Sequence, residues 1–168
     1  MEALLLGNER WQAVYDKKTD RILGRLKRGT DVMEGIKEIC AHFGVTAGQF
    51  QCMGSLNYVT YMQAERADDK GNMKYSPIMK TNSGVELVTA TGFIGISEET
   101  NELEIHLHGA FVDCDHQFSA GHFIEGGNPT AVTVEYLIHV VHDADVKRSL
   151  DRELNIPFFQ FHKKEASD

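Results

Sequence analysis

The feature that most constrains this chain is the series of long segments whose apolar residues recur at every second position. VELVTATGFIGIS (85–97), ELEIHLHGAFVD (102–113) and TAVTVEYLIHVV (130–141) are rich in β-branched and aromatic residues and bounded by Gly, Asn, Asp or Pro. A strand turns alternate side chains to opposite faces, so these segments read as long strands. AGQFQCMGSLNYVTYMQAE (47–65) reads the same way. Only RGTDVMEGIKEICAHFGVTAG (28–48) carries helical spacing, through Val32, Met33, Ile36, Ile39, Cys40 and Phe43. Asp31 is placed to cap its first turn with Glu34 three residues on, and Gly44 suits a left-handed stop. Strands outnumber helices and do not alternate with them. The expected fold is therefore α/β in the α+β sense, with a mostly antiparallel or mixed sheet and one or two flanking helices.

A length of 168 residues fits one domain with a proper apolar core. We place that domain at residues 1–146 and a C-terminal extension at 147–168, read as a short helix, an apolar segment and a frayed end. ERADDKGNMKYSP (65–77) is a hairpin or a mobile loop. The N-terminus lacks a basic leader, and no apolar run approaches the roughly 18 residues of a membrane span. The three cysteines, Cys40, Cys52 and Cys114, form no metal or disulfide spacing, so a reducing cytoplasm is the expected location.

The net charge of −8 opposes binding to a polyanion. Lys17–Arg28 is a local exception, with six basic residues and one acid. Its expected structural role is an edge strand and turn kept soluble by charge. Its expected functional role is a weak nucleic-acid patch centred on Arg25, Lys27 and Arg28.

The segment HLHGAFVDCDHQFSAGH (106–122) concentrates four of the eight histidines. In the strand, Leu103, Ile105, Leu107, Gly109 and Phe111 share one face, while Glu104, His106, His108 and Ala110 share the other. His106 and His108 then stand side by side, roughly 6.5 to 7 Å apart along the backbone. The turn-like DCDHQFSAG (113–121) lets the chain reverse and bring His122 beside them, with His116 left facing solvent. Three imidazoles so placed suit a divalent metal, zinc among the candidates. Histidines on strands are also commonly just hydrogen-bonded or solvated. Zinc held by three histidines keeps an open position and lowers the pKa of a bound water to about 7, which makes a hydrolase-like metal enzyme the alternative function. Glu104 and Glu125 are then the candidate general bases. Nothing in the sequence identifies a substrate. H-x-H on a strand also occurs in cupins, but their second motif is missing from GGNPTAVTVEY (126–136).

Taken together, RLKRGTDVMEGIKEICAHFGVTAGQFQCMGSL, VELVTATGFIG, EIHLHGAF, SAGHFIEGG and VTVEY resemble the plants-and-prokaryotes-conserved (PPC) domain over about residues 22–141. The resemblance implies an α/β protein that assembles as a homotrimer through its sheets. It also implies that the family's histidine element falls on His106, His108 and His122. Ala120 stands where a glycine is usual, Thr30 where an acid is common, and Phe93 where an Asn is usual. Plant members bind A·T-rich DNA through an added AT-hook, whose Arg-Gly-Arg-Pro core does not occur within these 168 residues. The expectation is a metal-binding, trimeric protein with an assembly or regulatory role and weak or partner-mediated DNA association. The trimer has an independent basis, because strands apolar on both sides need both faces covered and one helix covers only one.

Overall fold

The computed structural model describes residues 6–153 and 155–164. The strands and helix run in the order β1 (Leu6–Gly7), β2 (Trp11–Asp16), β3 (Arg21–Lys27), α1 (Val32–Phe43), β4 (Gly48–Leu56), β5 (Thr60–Met62), β6 (Ala64–Arg66), β7 (Met73–Tyr75) and β8 (Met79–Lys80). They continue with β9 (Val85–Ser97), β10 (Leu103–Asp113), β11 (Phe118–Phe123), β12 (Thr130–Val140), β13 (Ala144–Asp151) and β14 (Ile156–Lys163). The main sheet has the order β1-β2-β3-β12-β4-β9-β10-β11-β5-β8, antiparallel throughout. Among the described residues the one parallel pairing is β13 with β9, which makes the sheet mixed.

Helix α1 forms where its spacing places it. Asp31 accepts from the N–H groups of Met33 and Glu34, and Gly44 closes the helix at φ 70°, a left-handed conformation that costs glycine little. Glu34 does not complete a capping box with Asp31, because its carboxylate is taken by Arg10 at 3.1 Å. Val32, Met33, Ile36, Ile39 and Cys40 are buried against the inner face of the sheet, where Ile22, Leu26, Phe50, Leu107, Phe111, Phe123 and Ile138 complete one core. Among the described residues the opposite, outer face carries no helix. There Leu23, Met53, Val88 and Phe93 are 41–57% exposed. A register shift at Val88 reconciles the two sides of β9: before it Val85 and Leu87 point inward, and after it Ala90 and Ile94 do.

Three expectations are corrected. Lys17–Arg28 is not an edge: β3 is flanked by β2 and β12, because β12 returns from far along the chain to pair with it. Residues 47–65 do not make one strand, since the chain breaks after Leu56 and resumes as β5. The extension holds no helix among the described residues; Lys147 onward lies in the β13–β14 hairpin, and β13 is drawn into pairing with β9 through Ile96 and Ser97. Val146 and Phe159 bury with Ala47 to make a second small core beneath it. Residues 64–75 form the β6–β7 hairpin. The apolar start of the chain and the expected frayed end lie, at residues 1–5 and 165–168, outside the described residues. No helix among the described residues is long and apolar enough to cross a membrane.

Candidate metal centre

The site is built by register. β10 is inward-facing at Ile105, Leu107 and Phe111, which turns His106 and His108 to the outer face. Asp113 then accepts from the N–H groups of Asp115 and Gln117, His116 takes a left-handed φ of 61°, and the chain reverses into β11. In the returning ladder His122 is directly opposite His108, so both must share a face. The short distance between the two strands brings the rings together.

The ring nitrogens converge. His106 Nε2 lies 3.0 Å from His108 Nε2, and His122 Nδ1 lies 3.3 Å from His108 Nε2. The three ring centroids are 4.9–5.2 Å apart. All three ligand atoms fall within 4.8 Å of one another. A tetrahedral ion with bonds of about 2.0–2.1 Å sets its ligands about 3.3 Å apart, so the donor set fits a zinc-like ion in size and in kind. Partial desolvation lowers all three imidazoles below the ordinary histidine range, although His108 stays exposed. Desolvation is the largest cause for each, and His122 is driven down to about 4 with further help from His106, His108 and Arg148. Neutral imidazole is the form that binds metal, so no proton has to be displaced at neutral pH.

The remaining sequence candidates are dispersed. Glu104 shares the outer face with His106, but its Oε2 is held by Arg148 Nη1 at 2.7 Å. Glu125, just past β11, is drawn to the helix side, where Lys37 Nζ donates to both carboxylate oxygens at 2.6 and 2.8 Å. Neither joins the histidine group. Arg25 lies opposite Glu135 in register and donates to Gln12 at 3.1 Å, while Lys27 Nζ donates to the Asn8 carbonyl at 2.5 Å. Arg28 is exposed. The basic residues are strung along the β2–β3 hairpin over about 20 Å rather than gathered at one point. His116 is exposed, and His142 pairs with Asp20 at 3.0 Å. Two neighbours of the site escaped the sequence reading. Tyr75 of the β6–β7 hairpin sets its ring 6.1 Å from that of His122, and Arg148 arrives from the extension. Neither has a local sequence signal, because both reach the site by tertiary contact alone.

A fold of this kind, with histidines grouped on the open face of its sheet, defines a class. The sequence profile of the Plants and Prokaryotes Conserved (PCC, also abbreviated PPC) domain matches residues 14–142, and the chain belongs to that family. Similar solved structures include a protein of Bacteroides thetaiotaomicron provisionally named as DNA-binding, with TM-score 0.73, 16% identity, and coverage of 91% of this chain and 99% of that one. A protein of Archaeoglobus fulgidus described as metal-containing has TM-score 0.65 at 14% identity, with 95% and 96% coverage. A plant- and prokaryote-conserved protein of Pyrococcus horikoshii has TM-score 0.65 at 15% identity, with 92% and 97% coverage. No curated protein matches the chain in sequence.

Proposed function

We propose that this chain is a homotrimeric, metal-binding member of its family with an assembly or regulatory role, working in a reducing cytoplasm and associating with DNA weakly or through other proteins. The observation that carries this reading is the convergence of His106, His108 and His122 on one point with all three rings held neutral. These residues would hold one divalent ion, zinc being the best match to the spacing. The Archaeoglobus relative's description as metal-containing agrees with this. The outer face supports assembly: Leu23, Met53, Val88 and Phe93 lie exposed on it, and a shallow depression of about 410 Å³ opens there beside Leu23 and Val14. Three free cysteines fit a reducing compartment. The net charge of −8 and the dispersal of the basic residues argue against tight DNA binding by the chain itself.

Elemental analysis of untagged protein, compared with the His106→Ala/His108→Ala variant, tests the metal. About one ion per subunit is expected in the parent and none in the variant, and equal contents in both would sink the site. Light scattering at micromolar concentration tests assembly, and a monomer mass would contradict the trimer.

A metal-dependent hydrolase is the second reading. It is favoured by the group's having three protein ligands among the described residues, the number found in catalytic zinc sites. A bound ion would supply Lewis acidity. The base such chemistry needs is less well provided, since Glu104 and Glu125 are each engaged by a cation.

A further inference from the structure

The family match ends at residue 142, yet the hairpin that follows it reaches the histidine site. β13 runs beside the end of β9, with Arg148 opposite Ser97; across β9, Glu104 of β10 lies opposite Gly95. Gly95 is what allows the approach. A Cβ there would lie 2.5 Å from the Val146 carbonyl oxygen and 2.6 Å from Phe159, so the hairpin packs on bare backbone. Over that gap Arg148 Nη1 reaches Glu104 Oε2 at 2.7 Å, with the two side chains only 32% and 29% exposed. Phe161 of β14 sets its ring edge-on to Phe93, the residue paired with His106.

Two consequences follow for the ion. Glu104 stands two residues before His106 on the same face, and a carboxylate in that position is a competent zinc ligand. Arg148 occupies it, so His106, His108 and His122 are the protein ligands that would hold an ion among the described residues. The guanidinium makes this one side-chain bond among the described residues, leaving most of its five N–H donors for another acceptor. Its positive charge is also felt at both His106 and His122. A dication on three neutral imidazoles beside the Arg148–Glu104 pair would carry a surplus of positive charge. A planar carboxylate matches both the charge and the fork of an arginine.

We propose that the centre takes a small carboxylate as its exogenous ligand, held jointly by the metal ion and Arg148, a residue that lies beyond the matched residues 14–142. This rests on the metal reading above. The test uses full-length protein loaded with Co(II), whose visible absorption reports ligand changes, titrated with acetate at fixed ionic strength and pH. In the parent, acetate should change the spectrum saturably. Arg148→Gln should weaken acetate binding by about tenfold or more, the loss of one bond to a charged group. The Arg148→Gln/Glu104→Gln variant should show the same weakening, which separates loss of the guanidinium from capture of the ion by a freed Glu104. Both variants should still bind Co(II), which also shows that they fold. Failure of the parent to bind Co(II) would overturn the metal reading itself. Co(II) binding with no response to acetate, or with equal acetate affinity in the parent and the double variant, would leave that reading standing and overturn this one.

Discussion

Asp31 joins the helix to a segment 97 residues further along the chain, and replacing it by alanine gives the most quantitative check on the fold. Its Oδ1 accepts from Met33 N at 3.0 Å and Glu34 N at 3.2 Å, and its Oδ2 accepts from Asn128 N at 2.7 Å. The residue is 6% exposed, so water cannot easily replace the lost acceptor. Removing the cap costs about 0.5–2 kcal/mol. Leaving the buried Asn128 N–H without a partner costs about 1–3 kcal/mol. Against this, burial pushes the Asp31 carboxyl above its ordinary range, with desolvation the largest cause, so alanine relieves the cost of a buried charge. The net expectation is a loss of about 2–3 kcal/mol. At about 2–4 °C per kcal/mol for a domain of this size, Tm falls by roughly 4–12 °C. Asp31→Asn keeps one carbonyl acceptor for the helix but turns its amide NH2 donor toward the Asn128 N–H, and should fall between the two. Thermal unfolding followed by circular dichroism reads all three proteins. An Asp31→Ala variant melting within about 1 °C of the parent would refute the view that one carboxylate ties α1 to the 124–130 segment.

Stability should fall as the solution is acidified. Desolvation, with help from His106, His108 and Arg148, pushes the folded-state His122 imidazole down to about 4 from an ordinary value of 6.5, so its contribution is present above pH 6.5 and is lost as pH falls from 6.5 through 4. Denaturant midpoints across that range check this, and a flat profile in the metal-free protein would count against the burial of the cluster. Gly24→Ala should destabilise by about 1–3 kcal/mol, since a Cβ there meets the Gln12 carbonyl oxygen at 1.9 Å and Tyr136 Oη at 2.7 Å; an unchanged unfolding midpoint would refute the close approach. In a thiol titration of native protein one cysteine should react, the exposed Cys114. Cys40 and Cys52 are buried, with their thiols pushed up to about 12, and should react only after unfolding. Fluorescence anisotropy with A·T-rich and G·C-rich duplexes at about 150 mM salt should show binding no tighter than about 10⁻⁶ M. Nanomolar affinity lost on charge reversal of Arg25, Lys27 and Arg28 would show that these residues outweigh the net charge.

What the sequence determined by itself is whatever depends on near neighbours. The faces of β10 follow from an alternation of two, which put His106 and His108 on one side of the strand before any partner was known. The ends of α1 follow from Asp31 and Gly44, whose side-chain chemistry and backbone freedom act within a turn. The return of His122 was legible too, because the turn between β10 and β11 is short and closes on itself through Asp113. Tertiary structure decided the rest. The basic segment became an interior strand because β12, more than a hundred residues later, paired with it. The extension, read as a short helix followed by an apolar segment, became a strand hairpin because the free side of β9 beyond Ile94 offered unpaired backbone groups, and Val146 and Phe159 had an apolar floor to cover. Glu125 was drawn to Lys37 and Glu104 to Arg148 by partners 88 and 44 residues away. Local sequence carries the conformation of a strand and the direction of its side chains, whereas the identity of its neighbour is settled by which distant surfaces remain unsatisfied when the core closes.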